Sequence, residues 1–92
     1  MAKHNLLLLL LLSSTAVALC LDRGQKTWCV AKPSSGKKAL LENINYACAL
    51  VDCGVLRRGC PCFSPDTLIS HTSVAMNLYY QSRGRNPWNC YF

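Results

Sequence analysis

"SPDTLISHTSVAMNLYYQSRG", residues Ser64 to Gly84, sets the architecture of this chain. Leu68, Thr72, Ala75, Met76 and Tyr79 recur at the three- and four-residue spacing that places side chains on one face of an α-helix. Ile69, Met76 and Tyr80 form a shoulder beside that face. Ser64 is suited to the N-cap, Pro65 to the first helical position, and Asp66 in the first turn complements the helix dipole. Gly84 reads as the stop, because glycine adopts the left-handed conformation that closes many helices, and Asn86-Pro87 prevents continuation. With a single buried face, Tyr79 continues the apolar stripe into the core and Tyr80 points off it towards a ligand.

Upstream, a second helix is predicted over Lys38 to Leu50. Leu40, Ile44, Ala47 and Val51 share a face there, with Cys48 beside them. Pro33-Ser34-Ser35-Gly36 before it is turn chemistry. Asp52 to Cys62 after it is a loop carrying Gly54, Gly59, the basic pair Arg57-Arg58 and a Cys60-Pro61-Cys62 turn. Trp28 to Ala31 and Trp88 to Phe92 read as short strands at the two ends. The expected fold is therefore small α+β and disulfide-stapled: two packed helices plus a short antiparallel sheet, with Trp28, Phe63 and Tyr79 as core aromatics.

The chain has 92 residues, enough for one domain. Lys3 and His4, the unbroken run Leu6 to Leu12, and the small residues Ala16 and Ala18 follow the order of a secretory signal peptide. The run is too short to span a bilayer, which takes about 20 residues. Residues 1–20 are expected to be the signal and 21–27 a polar leader segment, with the domain over 28–92. Cleavage fits after Ala18 or after Cys20; an even cysteine count suits a secreted framework, which favours loss of Cys20. The formal net charge is +6, and basic side chains still outnumber acidic ones by five once Lys3 is gone. A domain this small buries a thin core and relies on staples, which cysteines supply after export.

Cys48 and Cys53 are close enough in sequence for an easy local disulfide. Joining Cys29 to Cys90 would close a loop of about 60 residues, worth about 4 kcal/mol in the loop-entropy picture. Cys60 and Cys62 are left with uncertain partners. A zinc site built from Cys48, Cys53, Cys60 and Cys62 lacks the paired knuckles of structural zinc, so no metal and no cofactor is expected. Catalysis is not expected either. Only four carboxylates are present, Asp22, Glu42, Asp52 and Asp66, and glycoside hydrolysis needs two of them across a cleft. His71, on the polar flank of the helix that follows Pro65, has no triad pattern around it. Binding is better served. Eight aromatics are present, and aromatic faces stack on sugar rings while hydroxyl and amide groups take sugar hydroxyls. Tyr80, Tyr79, Asn77 and Gln81, with Tyr46 and Trp88 in second rank, are the candidate ligand residues.

Taken in order, Trp28-Cys29-Val30-Ala31-Lys32, Ile44-Asn45-Tyr46-Ala47-Cys48, Asp52-Cys53, Cys62-Phe63-Ser64-Pro65-Asp66-Thr67, His71-Thr72-Ser73 with Asn77-Leu78-Tyr79-Tyr80-Gln81, and Cys90-Tyr91-Phe92 resemble the plant X8 domain, carbohydrate-binding module family 43. The resemblance spans Lys26 to Phe92. It implies two helices packed at an angle, a minor antiparallel sheet, three disulfides including Cys29–Cys90 and Cys48–Cys53, and binding of β-1,3-glucan, the polymer of callose. Such modules are joined to glucan endo-1,3-β-glucosidases or are found as pollen allergens and lipid-anchored plasmodesmal callose-binding proteins. This chain differs in carrying Asp66 for Asn and Thr72 for Ala. The family has more sequence after the Cys90-Tyr91-Phe92 motif, including the partner of Cys62, so Cys62 is expected to lack that partner and Cys60 to be an extra thiol. No lipid-anchor signal follows. The expected protein is a secreted, monomeric, non-catalytic β-1,3-glucan-binding module of the cell wall or plasmodesmata, with no nucleic-acid partner and no transmembrane segment after signal removal. The alternative is a cationic cysteine-rich defence or signalling peptide.

Overall fold

The computed structural model describes Cys20 and residues 27–92. The expected signal and leader segment, apart from Cys20 and Thr27, lie outside the described residues. Helix α1 spans Lys37–Leu50 and helix α2 spans Leu68–Ser82. Single 3₁₀ turns occupy Gly54–Leu56 and Pro87–Cys90. Leu40 and Ala47 of the predicted α1 face are buried. The Thr72 hydroxyl of α2 donates to the Leu40 carbonyl at 3.3 Å, so the two helices meet closely there.

The start of α2 differs from the sequence reading. Thr67, not Ser64, is the N-cap, its hydroxyl accepting from the Ser70 amide at 3.3 Å. The Thr67 amide is itself turned back onto the Pro65 carbonyl at 2.9 Å, which leaves Ser64 to Asp66 in a turn ahead of the helix. The C-terminus closes as expected at Gly84, whose φ of 86° is in the left-handed region. The Arg85 amide bonds the Tyr80 carbonyl at 3.0 Å and the Gly84 amide bonds the Gln81 carbonyl at 3.2 Å, the two bonds of a Schellman closure.

The expected antiparallel sheet is not formed: among the described residues there is no strand. Pro87–Cys90 winds into a 3₁₀ turn instead of a strand. Thr27 to Ala31 is extended, but its hydrogen-bonding groups go to the side chains of α2. The Cys29 amide donates to Asn77 Oδ1 at 2.9 Å, the Ala31 amide donates to Ser73 Oγ at 3.0 Å, and Gln81 Nε2 donates to the Thr27 carbonyl at 2.7 Å. Ser73, Asn77 and Gln81 are spaced four apart and so lie in one stripe along the helix, opposite backbone groups two residues apart on the segment. A helix side-chain stripe has taken the place of a partner strand. The pleat then turns Cys29 and Ala31 inward and leaves Trp28 half-exposed, at 50%, rather than in the core.

The same arrangement reverses the expected roles of the tyrosine pair. Tyr80 is 7% exposed, packs with Cys29, Ala31, Leu40 and Met76, and hydrogen-bonds the Thr27 hydroxyl at 2.8 Å. Tyr79 lies between α1 and the C-terminal residues, partly exposed. The one-face reading fails because α2 is central: one stripe meets α1, the next meets the extended segment, and Val74 and Leu78 pack against Cys20 and Cys62.

Three disulfides link this core: Cys29–Cys90, Cys48–Cys53 and Cys20–Cys62. The last corrects two expectations: Cys62, expected to lack its partner, is paired, and its partner is Cys20, expected to leave with the signal. Its separation of 42 residues gives it a loop-entropy contribution of about 4 kcal/mol. Cys60 is the free thiol.

Two outcomes follow. Asn77→Ala leaves the buried Cys29 amide without its acceptor, which costs about 1–3 kcal/mol, and should lower the guanidinium midpoint by that free energy divided by the denaturant slope, with disulfides intact; an unchanged midpoint contradicts the structural role of Asn77. Alkylation of the exported, unreduced protein should label Cys60 alone. Labelling of Cys60 and Cys62 together would show that Cys20 had departed with the leader and that cleavage falls after it.

Candidate functional site

Beside the Tyr79 end of α2, α1 and the C-terminal segment enclose a groove of about 400 Å³. Glu42, Asn43 and Tyr46 come from one face of α1, Tyr79 from α2, and Trp88, Asn89, Tyr91 and Phe92 from the 3₁₀ turn and the residues after it. The Cys29–Cys90 bond anchors that last segment to the core, which fixes where the rings beside Cys90 stand. Proline at the start of the turn presets its first dihedral, and the Tyr91 amide closes it on the Trp88 carbonyl at 3.2 Å.

Three rings form the groove's interior wall. Tyr46 and Tyr79 meet edge-to-face with centroids 5.6 Å apart, Tyr79 and Phe92 at 5.6 Å, and Tyr46 and Phe92 at 6.0 Å. Edge-to-face pairs at these separations are attractive beyond their buried area. The Arg83 guanidinium sits 4.8 Å from the Tyr79 ring centroid and braces it from the outer side. Trp88 is 63% exposed and Tyr91 79%, so broad aromatic faces remain available to a ligand.

The polar groups are few and converge on the rings. A hydrogen bond from the Tyr46 hydroxyl holds the Tyr79 phenol below the usual tyrosine range; Arg83 and Asn89 add to the effect, and burial opposes it. Tyr46 is raised by the same hydrogen bond, as the proton it donates is harder to remove, and by the charge Tyr79 acquires. Asn89 Oδ1 is buried without a hydrogen-bond partner, a state that costs about 1–3 kcal/mol. A hydroxyl donor entering the groove, after a small side-chain adjustment, would supply what it lacks.

Of the six residues proposed from the sequence, the groove brings together Tyr46, Tyr79 and Trp88. Asn77, Tyr80 and Gln81 are placed elsewhere. Asn77 is 2% exposed and its Oδ1 accepts from both the Cys29 amide and, at 3.2 Å, Gln81 Nε2. These three tie the extended segment to α2. Glu42, Asn43, Asn89, Tyr91 and Phe92 were missed. The available signal was the aromatic pair directly after Cys90, whose position the disulfide dictates. His71, outside the groove, donates to the Phe63 carbonyl at 2.6 Å, with the Asp66 carboxylate 3.8 Å away.

The fold and groove define a small disulfide-stapled domain with an aromatic, hydroxyl- and amide-bearing binding surface and no paired carboxylates in the groove. A family model for the X8 domain matches residues 27–92, and the chain belongs to that family, carbohydrate-binding module family 43. It is 52% identical over 67 residues to a glucan endo-1,3-beta-D-glucosidase of Olea europaea, a match covering 72% of this chain and 15% of that enzyme. Major pollen allergen Ole e 10 of the same species is 42% identical over 82 residues, covering 87% of this chain and 67% of the allergen. Plasmodesmata callose-binding protein 3 of Arabidopsis thaliana is 40% identical over 67 residues, covering 72% and 36%. The chain thus spans a small part of the glucosidases and about a third of the callose-binding protein. No solved structure matches.

The Tyr46–Tyr79 pair makes a direct test of the site's geometry. In an alkaline titration followed by tyrosinate absorbance, Tyr79 should ionise before Tyr46, and Tyr46→Phe should move the first transition upward. A first transition unmoved by that change contradicts the hydrogen bond.

Proposed function

We propose that this chain is an exported, non-catalytic module that binds β-1,3-glucan through the groove of Tyr46, Tyr79, Trp88 and Tyr91, in the plant cell wall or at plasmodesmata. The observation that carries the reading is the pairing of solvent-facing aromatic surfaces with the convergent polar groups of Asn43, Asn89 and Glu42 in one groove. Sugar rings present C–H faces to the former and hydroxyls to the latter. A named callose-binding protein among the relatives supports the choice of polymer. The glucosidases among the relatives are several times longer than this chain, which matches about 15% of each. The groove contributes a single carboxylate, Glu42, whereas the hydrolysis of a glycosidic bond takes two. An N-terminal leader supplies export, and keeping the Cys20–Cys62 bond in the exported protein takes cleavage after Ala18 rather than after Cys20. Among the described residues no helix is long and apolar enough to cross a membrane.

Co-sedimentation with insoluble β-1,3-glucan, with β-1,4-glucan as control, tests the reading. The protein should partition to the first and not the second. Trp88→Ala, which removes an aromatic face worth about 1.4 kcal/mol when covered by ligand, should weaken binding about tenfold without changing the unfolding midpoint. Equal partition to both polymers contradicts the proposal, as does full retention of binding by Trp88→Ala combined with Tyr79→Ala.

A further inference from the structure

On the far side of Phe92 lies a second cavity, of about 220 Å³, to which Val30, Lys32 and Ser35 contribute from the segment before α1. Asn43 and Phe92 line both this cavity and the aromatic groove. The two spaces are therefore neighbours, separated by one ring that is 39% exposed and sharing one amide. We propose that they form a single extended binding track, and that the second cavity is an additional subsite for the same neutral polysaccharide. The protein would then grip an internal stretch of several sugar units rather than one or two. This inference rests on the glucan reading above and extends it.

The walls of the second cavity are anchored to the core. Ala31 is tied to α2 through the Ser73 hydroxyl, and Cys90 is tied to Cys29. The Ser35 amide turns back on the Lys32 carbonyl at 3.0 Å, which sets these two residues on a short, defined turn. Met76 of the core forms part of the lining. The chemistry differs from that of the first cavity in a useful way. Phe92 is the only ring, and the polar groups are an ammonium, a hydroxyl and an amide. Lys32 can only donate, Ser35 can donate or accept, and Asn43 can do both. Such a subsite reads hydroxyls along the edge of a sugar unit, while the aromatic groove covers the faces of its neighbours. No carboxylate lines it, so no cationic ligand is favoured there.

The test is calorimetric titration with soluble β-1,3-glucan oligosaccharides from the disaccharide to the hexasaccharide. For the unmodified protein, affinity should rise about tenfold across that series, the gain expected from two or so added hydrogen bonds. The double variant Lys32→Ala/Ser35→Ala changes a turn on the surface and leaves the core intact. It should bind the disaccharide as the unmodified protein does and lose the gain with length. Trp88→Ala should weaken all lengths alike. Equal affinity for every length, or a double variant that keeps the full gain, overturns the extended track while leaving the aromatic site standing. Absence of binding at any length overturns both.

Discussion

Everything in this domain depends on how the backbone of Thr27 to Ala31 is satisfied. An extended segment presents amide and carbonyl groups that are costly to bury unpaired. Here they are met by Ser73, Asn77 and Gln81, three polar side chains in register along α2. Asn77 is the pivot, since its single oxygen accepts from the segment and from Gln81 while the residue is almost fully buried. That arrangement delivers Cys29 to Cys90, and the disulfide between them holds the C-terminal residues over the end of the helix pair.

The binding groove is a consequence of that division of α2 into faces. One stripe is used for the extended segment and Tyr80, another for α1, and a third for the Cys20–Cys62 bond with Val74 and Leu78. Tyr79 falls where α1 and the C-terminal segment converge without closing, so its ring remains half-open. Tyr46, Phe92 and the Arg83 guanidinium fix it from the other sides. The wall of the site is thus rigid, and the outward rings of Trp88 and Tyr91 provide the accessible surface. The fixed rings of Tyr46, Tyr79 and Phe92 keep their share of the entropic cost of binding low, since little of their side-chain freedom remains to be lost.

Much of the helical architecture was legible in the sequence, because periodicity and termination signals are local. The α1 span, the closure at Gly84 and the easy loop between Cys48 and Cys53 all follow from residues near one another in the chain. The replacement of the expected sheet by a helix side-chain stripe was not legible, and neither was the orientation of the tyrosine pair. Trp28-Cys29-Val30-Ala31 has the composition of a strand, and it is extended; only the long-range pairing with Ser73, Asn77 and Gln81 shows that a helix takes the partner's place. Asn77 and Gln81 looked like ligand contacts because polar residues on a helix are usually solvent-facing. Hydrophobic periodicity assumes one partner per helix, and α2 has three, which is why Tyr79 and Tyr80 exchange places. The choice of Thr67 over Ser64 as the cap is a boundary effect that the Thr67–Pro65 turn decides.

The central claim is that three stripes of α2 build the domain, and that of its two tyrosines only Tyr79 belongs to the proposed ligand groove. The most direct measurement is a two-dimensional NMR titration of the labelled protein with a soluble β-1,3-glucan oligosaccharide, read residue by residue. The account predicts concentration-dependent shifts at Asn43, Tyr46, Tyr79, the Trp88 indole, Asn89 and Tyr91, with Asn77, Tyr80 and Gln81 unmoved. Shifts centred on Asn77, Tyr80 and Gln81, with the groove silent, would contradict it.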